Sequence, residues 1–146
     1  MKIVLQRVKN ASITIDNELY SSIGQGYLIL FGADKGDTTE QADWLCKKVC
    51  QLRCFEDENG KMNLSINDVK GEMLIVSQFT LCADVKKGTR PSFDSAMKPD
   101  EANKLYEYFM SRVKEQNIPV KKGVFGADMK VNLLNDGPVT FIIQAP

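Results

Sequence analysis

Two short strings hold the groups that could do chemistry. Ser77-Gln78-Phe79-Thr80 puts two hydroxyls and a carboxamide within four residues, where an apolar run gives way to a polar stretch. Strand ends of this kind are where α/β architectures collect their ligand groups. Taken alone, a Ser-x-x-Thr pair reads as ordinary hydroxyls satisfied by the nearby backbone. The second string, Asn135-Asp136-Gly137-Pro138, is a turn signal and on its face a tight connection between two strands. A Gly-Pro peptide adopts either isomer at modest cost, and the cis form would fix the flanking carbonyls as acceptors for a ligand.

What these groups can do is bounded by a zero: the 146 residues include no histidine. That removes Ser-His-Asp and Cys-His catalysis, a histidine base near neutral pH, and a zinc site on the usual nitrogen ligands. No metal is therefore expected and a metal-dependent hydrolase is disfavoured; no cofactor is expected either. Cys46, Cys50 and Cys54 recur every four residues with Cys82 far away, which fits neither a C-x-x-C motif nor a disulfide framework and reads as buried free thiols. Thr80 as a covalent nucleophile would need a neighbouring base, and the motif offers none. Cys82 meets the same objection, with only Lys86 and Lys87 nearby in sequence.

Charge is balanced at nineteen basic against nineteen acidic residues, so no global positive field marks a nucleic-acid partner. The distribution is uneven: residues 1–85 carry net −3 and residues 86–130 net +4. Lys86, Lys87, Arg90, Lys121 and Lys122 belong to the basic half. On charge alone they read as a solvated face. The apolar share of 43% is that of a globular protein, and a chain this long buries about two-thirds of its unfolded surface in one core. The charged opening Met1-Lys2-Ile3-Val4-Leu5-Gln6-Arg7 is a strand start, not a signal peptide, and no stretch approaches the roughly 18 apolar residues of a membrane span. A cytoplasmic protein without a membrane partner is expected.

Positioning these groups falls to an alternation of strands and helices. Residues 2–8, 11–16 and 19–23 read as strands, and Gly26 to Gly32, apolar between its glycines, as a central strand covered on both faces. Thr38 with Gln41 opens an amphipathic helix that ends near Cys54. A hairpin or irregular excursion around Asn59-Gly60 precedes a second buried strand over 72–78. Residues 82–98 form a loop long enough to be functional. A second helix starts at Pro99 or Asp100 with Ala102, Leu105, Tyr106, Phe109, Met110 and Val113 on one face. Residues 118–125, 129–134 and 139–144 read as short strands. The expected fold is α/β: a single domain over 1–146, of mixed β-sheets with two main helices packed on one side in three layers, α/β/β.

Ser77-Gln78-Phe79-Thr80-Leu81 together with Asn135-Asp136-Gly137-Pro138-Val139-Thr140 resembles the paired signature motifs of the D-aminoacyl-tRNA deacylase family. Met1-Lys2 to Arg7-Val8, Gly88-Thr89-Arg90-Pro91-Ser92-Phe93 and Gly123-Val124-Phe125-Gly126-Ala127-Asp128-Met129 carry the likeness through the chain. The resemblance implies a homodimeric hydrolase that cleaves the ester between a D-amino acid and tRNA, and also clears glycine from alanine tRNA. It implies a cis Gly137-Pro138 peptide inserted into the partner subunit's site, where its carbonyls would hold the substrate amino group and exclude an L side chain. It further implies an oxyanion site at the Phe79 and Thr80 amides, with Ser77 and Gln78 shaping the pocket for the terminal adenosine, whose 2′-hydroxyl would assist the water. Arg7 would brace the Gly-Pro segment, Phe125 and Met129 would line the adenine pocket, and Lys86, Lys87 and Arg90, with Lys121 and Lys122, would meet tRNA phosphates. The alternative is a nucleic-acid-binding homodimer of the same fold with no essential catalytic role.

Overall fold

The computed structural model describes residues 1–146. Strands β1 (Lys2–Ile15), β2 (Glu18–Ile23) and β3 (Gly26–Gly32) lead into helix α1 (Thr39–Gln51) and a small hairpin, β4 (Phe55–Glu56) with β5 (Met62–Leu64). Strand β6 (Glu72–Ser77), a 310 turn (Phe79–Cys82), helix α2 (Pro99–Lys114), β7 (Val120–Lys122) and β8 (Lys130–Gln144) follow.

The main sheet runs β2-β1-β3-β6-β7, with β8 on the other edge of β1. β3 is central, antiparallel to β1 and parallel to β6, and Phe31 and Ser77 end the parallel ladder side by side. Ile3, Leu5, Tyr27, Ile29, Phe31, Met73 and Ile75 face the two helices in the larger core. On the opposite face Val8, Ala11 and Ile13 pack with Ile23, Leu28, Leu74 and Val76, so the outer half of β1 and β2 curl over the back of β3 and β6. The result is the expected three-layer mixed α/β fold with both helices on one side.

A slip in β1 makes the curl possible. Its register against β8 shifts on either side of Val8, and consecutive Arg7 and Val8 are both buried. A one-residue offset sends the side chains after it to the other face, so one strand serves two cores.

Local chemistry fixes the helices. Thr38 caps α1 in a reciprocal box with Gln41, satisfying donors that a helix start leaves open. Pro99 opens α2, with Asp100 and Glu101 in its first turn and Arg112 and Lys114 in its last, which suits the helix dipole. All six apolar positions expected on the inner face of α2 are buried, as are the four cysteines, which are free thiols.

Several boundaries differ from expectation. The strands expected over 2–8 and 11–16 are one strand, Lys2–Ile15, and α1 stops at Gln51, where Leu52 turns extended. Of 118–125 only Val120–Lys122 pairs; buried Gly123 ends it, and a turn closed by Ala127 N–H donating to the Val124 carbonyl follows. The largest correction concerns Asn135–Pro138, which does not reverse the chain. The strands expected over 129–134 and 139–144 are a single β8, paired with β1 on both sides of the motif. Asn135 closes the interruption locally: its Oδ1 accepts from Val139 N–H (2.9 Å) and its Nδ2 donates to the Val139 carbonyl (3.2 Å). A turn-rich string thus makes a bulge that the side chain satisfies while the strand continues.

Candidate active site

A cleft of about 290 Å³ opens at the carboxyl ends of β3 and β6, where parallel strands place ligand groups. Phe31 and Ala33 come from the end of β3 and Ser77, Gln78 and Phe79 from the end of β6, while Phe125 and Met129 come from the β7–β8 connection. Five of the residues expected in the site therefore share one cleft, with Thr80 directly after them.

Gln78 leaves the strand at φ −147°, ψ 78° and donates its N–H to the Phe31 carbonyl at 2.7 Å. The 310 turn begins at the next residue. The first amides of a helical turn have no acceptor within it, and neither the Phe79 nor the Thr80 N–H has a backbone or side-chain partner elsewhere in the chain. Two adjacent unpaired donors at the positive end of a turn, beside a cleft, can hold a developing oxyanion.

The side chains argue against covalent catalysis. Gln78 Nε2 donates to Thr80 Oγ1 at 2.5 Å, so the hydroxyl meets a donor where a nucleophile needs a base. Burial and the neighbouring Asp34 push the Cys82 thiol up to about 11, leaving it protonated at neutral pH, and its Sγ lies 3.4 Å from the Ala33 carbonyl. The carboxylate lining the cleft is Asp128, which sequence reading passed over although it sits inside the Gly123–Met129 string. Its side chain is 83% exposed and pairs with Lys130 at 3.0 Å, a rim position.

Gly137 and Pro138 are joined by a cis peptide and are exposed, and neither lines the cleft of its own chain. Arg7, only 3% exposed, holds the preceding residue: Nε donates to the Asp136 carbonyl (3.0 Å) and Nη1 to the Cys54 carbonyl (2.6 Å). The carboxylates of Asp136 and Glu56 stand 3.6 and 3.9 Å from the guanidinium. Below it the Tyr27 hydroxyl meets Cys54 Sγ at 2.9 Å, and burial raises both groups above their ordinary range. A hydrogen bond between Cys46 and Cys50 pushes the first thiol down and the second up.

The loop after the 310 turn is ordered by backbone contacts. Asp84 and Ser92 exchange hydrogen bonds at 2.8 and 2.9 Å, and Lys35 N–H and Met97 N–H tie its far end to 2.8 and 3.0 Å acceptors at Ser95 and Ala33. Lys86, Lys87 and Arg90 lie at its exposed tip. Lys121 and Lys122 are elsewhere, on β7 beside Tyr20 and Lys114 in a shallow hollow, and Lys122 pairs with Glu107 at 2.8 Å. No helix is long and apolar enough to cross a membrane.

Paired free amides at the mouth of a strand-end cleft in a mixed α/β fold can serve acyl-ester chemistry, and the similarity to known proteins gives the class. The family described as D-Tyr-tRNA(Tyr) deacylase matches residues 4–144. A D-aminoacyl-tRNA deacylase of Geotalea daltonii is 56% identical over 146 residues, covering 100% of this chain and 97% of that protein. One from a Geobacter species is 55% identical, with 100% and 98% covered. Among solved structures, the c-Myc DNA unwinding element binding protein superposes with a TM-score of 0.94 at 42% identity, covering 100% of this chain and 99% of the other. A probable eukaryotic D-amino acid tRNA deacylase has the same fold, with a TM-score of 0.81 at 19% identity and 97% of each chain covered. The chain belongs to the D-aminoacyl-tRNA deacylase family, hydrolases that act on aminoacyl-tRNA.

Proposed function

We propose that this chain is a single domain over residues 1–146, working in the cytoplasm as a homodimer without metal or cofactor. It hydrolyses the ester of D-aminoacyl-tRNA and of glycyl-tRNA(Ala). The observation that carries the reading is the pair of unpartnered Phe79 and Thr80 amides at the mouth of a cleft containing no histidine. An aminoacyl ester is already activated, so placing a water and stabilising the oxyanion suffice. The water oxygen attacks the carbonyl carbon, the carbonyl oxygen takes up charge against the two amides, and the bond to the ribose 3′-oxygen breaks. The terminal 2′-hydroxyl helps to activate the water, and the 3′-oxygen leaves with a proton.

Chirality is selected by exclusion. The Gly137-Pro138 carbonyls of one subunit enter the partner's cleft, hold the amino group and leave no room for an L side chain. Their exposure and their absence from the lining of their own chain's cleft support a gate that acts between subunits. β8, paired with β1 on one edge, also carries exposed Leu134 and Ile142, apolar surface that a second copy would cover. Glycine passes the same filter.

The test is hydrolysis of D- and L-tyrosyl-tRNA, each with an intact or 2′-deoxy terminal adenosine. D is expected to be cleaved at least about tenfold faster than L, and the deoxy substrate more slowly than its parent, on the scale of lost general-base assistance. Equal rates on D and L would sink the gate, and full activity on the deoxy substrate would sink the role of the 2′-hydroxyl. Tight tRNA binding with no hydrolysis would instead favour a binding homodimer, the reading nearer to the c-Myc DNA unwinding element binding protein.

Lys86, Lys87 and Arg90 make no ion pair within the chain, and we assign them to tRNA phosphates. Neutralising all three should raise KM for tRNA with kcat little changed. It should also flatten the slope of log affinity against log salt by about 2 to 3, near 0.7–0.9 per lost phosphate contact. An unchanged salt slope would place them outside the interface.

A further inference from the structure

Phe79 and Phe93 are exposed by 57% and 38%, yet they pack on each other edge to face with ring centroids 5.0 Å apart and planes at 62°. Both rings are held. Phe79 stands on the 310 turn at the cleft, and Phe93 follows Ser92, which is fixed by its paired backbone bonds to Asp84. Ser95 Oγ donates to the Cys82 carbonyl at 2.8 Å, tying the loop back to that turn. The same loop carries Lys86, Lys87 and Arg90. Its acidic neighbours are Asp84, whose carboxylate accepts the Lys86 N–H at 2.9 Å, and Asp94.

Rigid exposed aromatic surface bordered by cations that have no ion-pair partner is the combination that holds single-stranded nucleic acid, by stacking bases and neutralising phosphates. With the terminal adenosine in the cleft, the nucleotide one phosphodiester away must lie at its mouth, where Phe79 is. We propose that the Phe79–Phe93 pair is a stacking platform for the base of the penultimate nucleotide of the tRNA acceptor end, with the loop cations meeting the phosphates on its 5′ side. This rests on the deacylase reading above and adds a second base subsite to it.

The test compares D-tyrosyl-adenosine, the same compound with a 5′-phosphate, and D-tyrosyl-cytidylyl-adenosine. For the unaltered protein the added cytidine should lower KM by about tenfold, the scale of one stacked base. The 5′-phosphate alone should give only part of that gain. Phe93→Ala should abolish the gain from cytidine, and Phe93→Trp should keep it. The platform is overturned if cytidine brings no gain, if the phosphate alone brings all of it, or if Phe93→Ala lowers kcat on all three substrates alike. Dissociation of the assembly by Phe93→Ala in sedimentation would also overturn it, since the rings would then be a contact between copies. Failure of the unaltered protein to cleave any of the three would be a different result, removing the deacylase reading itself.

Discussion

Phe79→Pro is expected to lower kcat on D-aminoacyl-tRNA by about 10²–10³-fold, the usual effect of losing one oxyanion donor. The position allows this exchange because Phe79 is the first residue of the 310 turn, where a missing N–H costs the turn nothing and the fixed φ of proline is suitable. Gln78 before it lies outside the helical region, as a residue preceding proline prefers. Proline therefore removes the proposed oxyanion donor with little demand on the fold, which circular dichroism and the thermal midpoint would verify. Two controls separate the amide from the side chains. Phe79→Ala keeps the N–H and loses the ring, so its loss should fall mainly on KM. Thr80→Ala keeps the second N–H and loses the hydroxyl, and should retain kcat within about tenfold, whereas a covalent nucleophile would lose nearly all of it. A Phe79→Pro protein as active as Phe79→Ala would remove the oxyanion role from this amide.

Those amides show what a sequence can and cannot carry. The cleft side chains were legible because Ser77, Gln78, Phe125 and Met129 sit in strings distinctive enough to be matched, and the helices because apolar spacing and the Thr38–Gln41 box are local signals. β3 read as central because it is apolar at every position between glycines. The course of β8 was not legible. Asn135-Asp136-Gly137-Pro138 has the composition of a turn, and only pairing with β1 some 130 residues away in sequence keeps the strand going through it. The curl of β1 was hidden for the same reason: a shift of register at Val8 is a relation between two strands. Unpaired amides are likewise invisible in side-chain letters, and Asp128 went unremarked because its rim position follows from how the β7–β8 connection folds.

Arg7 joins these long-range features, and Arg7→Ala is expected to cost about 3–5 kcal/mol of stability, the scale of breaking a buried charged network. The side chain is nearly inaccessible and donates to two carbonyls, one before the Gly137-Pro138 segment and one beyond the end of α1. Each such bond to a charged donor contributes about 1.5–3 kcal/mol, and the buried Cys54 carbonyl left without a partner adds a desolvation cost. For a chain of this length the loss should lower the thermal midpoint by about 10 °C. Arg7→Lys separates bracing from folding. A lysine keeps the charge near Asp136 and Glu56 but lacks the planar fork that reaches two acceptors in different directions. It should remain folded, lose less stability than the alanine variant, and leave the segment before Gly137 less firmly held. If that segment gates chirality, Arg7→Lys should cleave L-tyrosyl-tRNA measurably and narrow the D-to-L rate ratio by about tenfold or more, since a small misplacement of a positioning group costs that much or more. A folded Arg7→Lys protein with an unchanged D-to-L ratio would show that Arg7 holds the fold together without setting the gate.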